Sequence, residues 1–132
     1  MNRTLKRVLI IVGSLIVLLV VLFQFFKWNT KQASPEDTVT ATIGAASVEI
    51  NYSQPSVNGR EIFGGLIPYG EVWRTGANEA TTFTTSGDLT IGEKTLPAGE
   101  YTLWTIPNAN EWLIIWNSKQ YGWGVNFDSI SS

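Results

Sequence analysis

Residues 8 to 26 read VLIIVGSLIVLLVVLFQFF, a run without a single charge. Wound as an α-helix, that run is about 28 Å long, close to the roughly 30 Å hydrocarbon core of a bilayer. A long helix on the surface of a soluble domain keeps a polar stripe, and this run has none. It therefore predicts one transmembrane helix rather than a core helix, and it removes the first quarter of the 132 residues from the folded domain. A cleaved signal peptide has a shorter apolar core followed by small residues. Here Lys27-Trp28-Asn29-Thr30-Lys31-Gln32-Ala33 follows, and a cut after Ala33 would put Lys31 where a small residue is wanted. A retained signal-anchor is the better reading. Arg3, Lys6 and Arg7 precede the span and only Lys27 and Lys31 follow it. Positive flanks stay in the cytoplasm, so the amino terminus is expected inside, with the rest on the periplasmic or cell-surface side. The expected divisions are a cytoplasmic end at 1–7, an anchor at 8–26, a polar linker at 27–38 and an extracytoplasmic domain at 39–132.

The charge is split along the chain. Residues 1–31 hold five Lys or Arg and no acid, giving +5, whereas residues 32–132 hold four against all eleven acids, giving 4 − 11 = −7. A domain so acidic is repelled by phosphate backbones, which excludes nucleic acid as a partner. The chain has no Cys and no His, so disulfides, thiol nucleophiles, Ser-His-acid triads and the usual zinc ligand sets are unavailable to it. No EF-hand-like acidic run suggests calcium, and neither a cofactor nor a metal is expected. The expected partners are the lipid bilayer, through residues 8–26, and a small molecule, a glycan or an envelope protein on the far side.

After the linker the pattern is that of short strands. Residues 39–43 and 47–52 alternate around Gly44-Ala45-Ala46, with Val48, Ile50 and Tyr52 on one face and Ser47, Glu49 and Asn51 on the other. Residues 80–85 are β-branched and end at Ser86-Gly87-Asp88. Leu89-Thr90-Ile91 and Lys94-Thr95-Leu96 flank the two-residue turn Gly92-Glu93. Residues 100–106 and 111–117 are apolar on both faces, which predicts strands inside a two-layer core, with Trp104, Trp112 and Trp116 as core residues. Residues 121–127 are a last strand weakened by Gly122 and Gly124. The expected fold is all-β, a small antiparallel sandwich or partly open barrel preceded by the one transmembrane helix.

Gly59 to Thr82 is the one long irregular stretch. Five glycines and Pro68 break any regular period, yet Ile62, Phe63, Leu66, Ile67, Tyr69, Val72 and Trp73 carry too much apolar surface for a solvated loop. Long ordered loops of this kind are commonly functional. The candidate ligand-binding residues are Arg60, Tyr69, Trp73, Arg74, Asn78 and Glu79, a mixture of guanidinium, amide and aromatic groups suited to a sugar or an anionic small molecule. In a structural reading, Arg74 instead pairs with Glu71 or Glu79 and stacks on a ring, holding the loop in place. An alternative function, a carboxylate-dependent glycan hydrolase, would set Glu61 and Glu79 across a glycosidic bond. The composition favours a binding or interaction module over an enzyme, and no catalytic residue is assigned.

Three blocks in order, Tyr52-Ser53-Gln54-Pro55-Ser56-Val57, Trp73-Arg74-Thr75-Gly76-Ala77-Asn78-Glu79-Ala80-Thr81 and Leu96-Pro97-Ala98-Gly99-Glu100-Tyr101, resemble the domain-of-unknown-function 2911 family from about Val39 to Phe127. The resemblance implies a bacterial envelope or secreted protein and no particular reaction. Members usually follow a secretion signal and continue beyond the position of Phe127, so it also implies a chain shortened at its C-terminus.

Overall fold

The computed structural model describes residues 2–122 and Phe127. The chain forms two compact units, divided after Ala33.

The first unit is a single helix, α1 (Arg3–Ala33), with no residue buried within the chain. It is long and apolar enough to cross a membrane, a property shared by single-pass anchors and signal sequences. The helix continues past the apolar run through Trp28 and Lys31. Near its end the Thr30 hydroxyl donates back to the carbonyl of Phe26 at 2.7 Å, which keeps that polar side chain within the helix's own hydrogen bonding. Residues 27–38, expected as a linker, contribute the end of α1 and the start of the first strand.

The second unit is all-β. Its strands are β1 (Glu36–Ile43), β2 (Ala46–Ser53), β3 (Thr82–Thr85), β4 (Leu89–Ile91), β5 (Lys94–Leu96), β6 (Gly99–Pro107) and β7 (Trp112–Asn117). Five form an antiparallel sheet in the order β1-β2-β3-β6-β7, and β4 pairs with β5 in a separate hairpin. Gly44, at φ 61°, makes the tight β1–β2 turn that an L side chain would resist. The registers bring Val48 beside Thr85, Ile50 beside Phe83, Phe83 beside Tyr101 and Leu103 beside Trp116, so one sheet face is apolar. The hairpin covers that face: Leu89 and Leu96, opposite each other in β4 and β5, join Ala46, Val48, Ile50, Phe83, Tyr101, Leu103 and Trp116 in the core. The result is a small open sandwich, not closed into a barrel.

Two expectations change. β6 is central, but among the described residues β7 has no strand on its far side, with Leu113 56% and Ile114 47% exposed. Trp104 is core at 3% exposed, packed edge-on against the rings of Tyr121 and Phe127, whereas Trp112 is largely exposed. Among the described residues the buried indole nitrogens of Trp104 and Trp116 have no hydrogen-bond partner. The strand expected over 121–127 falls mainly on residues 123–126, which lie outside the described residues.

Candidate functional site

The long loop is fixed by its own backbone and by the end of β6. At its start Arg60 donates from Nε to the Val57 carbonyl (3.0 Å) and from Nη2 to the Ser56 carbonyl (2.6 Å), clamping the turn at Asn58-Gly59. The chain then coils on itself: Leu66 donates to Glu61 O at 3.0 Å, Ile67 to Ile62 O at 2.8 Å and Gly64 to Ile67 O at 2.9 Å. Two glycines make this coil feasible. A Cβ on Gly64, at φ 85°, would stand 2.7 Å from the Tyr69 ring, and one on Gly65 would stand 2.6 Å from the Glu61 carbonyl oxygen.

Beyond the coil the loop takes the lane beside β6 that lies past the start of β3. Gly70 donates to Pro107 O at 2.9 Å, and Trp73 and Thr105 exchange both backbone hydrogen bonds at 2.7 and 2.9 Å. Trp73 is thereby held against Phe63 and Trp112, with ring centroids 5.7 and 6.4 Å away, while Phe63 and Trp112 lie 4.6 Å apart. All three contacts are edge-on, the favourable arrangement for aromatic quadrupoles.

Arg74 projects from this rigid platform. The next residue, Thr75, is β-branched yet left-handed at φ 58°, a conformation that costs about 1–3 kcal/mol and persists only where the surroundings impose it. They do so here: Thr81 Oγ1 donates to Thr75 O at 2.7 Å, and the Thr75 and Thr105 hydroxyls lie 3.1 Å apart. A Cβ on Gly76 would come within 3.0 Å of Thr81 Oγ1, so the backbone is tightly backed at this point.

These elements enclose a cleft of ≈ 620 Å³ between the end of β2 with residues 54–57, the coil, and residues 73–77. Ile62, Phe63, Leu66 and Trp73 give it apolar walls, and Arg60 and Arg74 both line it. No Asp or Glu does. The Arg74 side chain is half-buried, and among the described residues its guanidinium makes no hydrogen bond, ion pair or ring contact. The structural role expected for Arg74, pairing with Glu71 or Glu79 over a ring, is therefore not realised.

Of the six candidate residues, Arg60, Trp73 and Arg74 converge on the cleft. Tyr69 lies over Gly64. Asn78 is 7% exposed, left-handed at φ 57°, and donates from Nδ2 to the Ser34 carbonyl at 3.2 Å, so it ties the loop to the start of the domain. Glu79 lines a separate depression with Glu36 and Glu100, while Glu61 is exposed and outside the cleft lining. The two carboxylates of the hydrolase alternative thus do not face one another across this cleft. Among the described residues no cluster of three Asp or Glu could hold a metal ion. The wall formed by Tyr52 to Val57 carries no site signal in the sequence beyond the Tyr-Ser-x-Pro-Ser-Val block. Trp112 was assigned to the core, and its part in backing Phe63 and Trp73 depends on the register of a distant strand.

Helix and domain together define a chain with an N-terminal apolar helix followed by a small open antiparallel sandwich. That chain belongs to the family described as protein of unknown function DUF2911, whose model matches residues 34–131. The match covers the whole β unit, from the residue after α1 onward. Comparison with curated proteins and with solved structures returned no match.

Proposed function

We propose that this chain is a membrane-anchored, extracytoplasmic ligand-binding module whose site is the cleft at Trp73 and Arg74. The observation that carries the reading is Arg74 itself. A half-buried guanidinium, without a hydrogen-bond or ion-pair partner among the described residues, sits in an aromatic-walled cleft beside Thr75, whose backbone is held in an unfavourable conformation. A structural arginine would be paired, because leaving a partly desolvated charge uncompensated is costly. A preformed concavity with apolar walls and few directed polar groups is the usual form of a small-molecule site. Lys31, standing where a cut after Ala33 would need a small residue, supports retention of α1 as a signal-anchor, and the flanking charges support an amino terminus inside with the acidic domain on the outer face.

The test uses the full chain in zwitterionic nanodiscs, screened for thermal stabilisation against a panel of small acids, sugars and amines beside a Ser56→Trp variant. Ser56 is exposed on the cleft rim, so the indole blocks entry without entering the core. Stabilisation of the parent but not of Ser56→Trp is the expected result, and equal stabilisation of both would refute the site. Protease added to intact spheroplasts is expected to degrade the domain; protection would refute the orientation.

A further inference from the structure

We infer that the ligand of this cleft is an amphiphilic anion, with one carboxylate or phosphate seated on Arg74 and an apolar, flat body lying along Phe63 and Trp73. The inference rests on the cleft being the ligand site, and it follows from which polar groups there are still unengaged. Gln54 Nε2 already donates to Asp37 Oδ2 at 2.6 Å and to the Tyr52 hydroxyl at 3.3 Å. The Thr75 hydroxyl contacts Trp73 O at 3.3 Å and the Thr105 hydroxyl at 3.1 Å, and Ser53 is only 4% exposed. Two arms of the Arg60 fork are held by the Ser56 and Val57 carbonyls. A neutral sugar needs several hydrogen-bonding side chains directed at its hydroxyls, and this lining has few to offer. What it does offer is the planar fork of Arg74, which suits a carboxylate or phosphate by paired, charge-assisted hydrogen bonds.

The charge distribution agrees. Residues 32–132 carry −7, yet both of their arginines line this cleft and no acid does. An anion repelled by the rest of the domain meets its favourable potential here. The remaining walls, Ile62, Leu66, Phe63 and Trp73, favour an apolar body over a second charge.

Three matched probes, 2-naphthoate, 2-naphthyl phosphate and the neutral 2-naphthol, would be titrated calorimetrically into the full chain in phosphatidylcholine nanodiscs, with empty nanodiscs as the blank. At least one anion is expected to bind saturably and about tenfold or more tighter than 2-naphthol, the value of a charge-assisted hydrogen-bond pair. The preferred anion identifies the headgroup. Arg74→Gln is expected to weaken the anion about tenfold and leave 2-naphthol unchanged, and Ser56→Trp to abolish both. If Arg74→Gln lowers the unfolding midpoint, salt decides instead: added NaCl must weaken anion binding to the parent and spare 2-naphthol. Binding of 2-naphthol as tight as the anions, insensitive to Arg74→Gln and to salt but lost in Ser56→Trp, would overturn the inference and leave the cleft as a site for neutral ligands. Failure of both anions to bind the folded parent would overturn it as well.

Discussion

Arg74 and Asn78 lie four residues apart on one loop and do opposite jobs. The half-buried Arg74 makes no hydrogen bond or ion pair among the described residues, so Arg74→Lys, which keeps the charge and most of the stem, is expected to shift the stability of the domain by under about 0.5 kcal/mol in chemical denaturation. A larger loss would show that the guanidinium holds the loop. Asn78 is structural, with a left-handed backbone and a buried amide bonded to Ser34 O. Asn78→Gly keeps the conformation and loses the hydrogen bond, at about 1 kcal/mol. Asn78→Ala loses both and is expected to cost about 2 kcal/mol. Equal destabilisation by the two substitutions would mean that backbone strain at Asn78 contributes nothing. Residue type alone does not separate these roles: Asn78 reads as a ligand group in sequence because an amide suits both a sugar and a left-handed turn, and only the turn is realised.

At the scale of elements, the loop is built on close backbone approaches rather than on a hydrophobic pattern. Gly65→Ala would force the Cβ against the Glu61 carbonyl oxygen, a backbone atom that cannot rotate away. The Ile62–Ile67 coil is expected to open, costing on the order of 1–3 kcal/mol and weakening any ligand bound in the cleft. Among the described residues no atom lies within 4 Å of a Cβ at Gly122, so Gly122→Ala serves as the neutral control. The strands themselves were legible, because turn residues such as Gly44-Ala45 and Gly92-Glu93 bracket runs whose alternation matches the observed registers. The order of the strands was not. β6 and β7 are both apolar on two faces, and this pattern is the same for a central strand as for an edge strand whose second face is uncovered. Likewise, crowding of Trp73, Arg74 and Arg60 marked part of the site. The opposite wall of the candidate cleft, Tyr52 to Val57, mixes polar and apolar residues without a period, and it reaches the cleft only through tertiary contacts that no local pattern encodes.

For the whole molecule, exposed apolar side chains cover α1 and also occur across the β unit, among them the neighbours Leu113 and Ile114 on β7. A long apolar edge is an association hazard. Leu113→Lys in the full chain is expected to reduce concentration-dependent self-association in sedimentation experiments without lowering the unfolding midpoint; unchanged association would place the contact elsewhere. On the proposal made above, the cleft lined by both arginines of the acidic sandwich admits an anion to a domain whose net charge otherwise repels it. Direct observation of the Arg74 guanidinium is the sharpest test. With ¹⁵N-arginine labelling, only Arg3, Arg7, Arg60 and Arg74 contribute side-chain signals, and Arg74→Lys assigns the one of interest. On titration with the anionic naphthalene probe in zwitterionic nanodiscs, the Arg74 Nε–H resonance should move saturably while those of Arg3 and Arg7 stay fixed. An Arg74 signal that stays fixed while the probe is demonstrably bound would contradict the site.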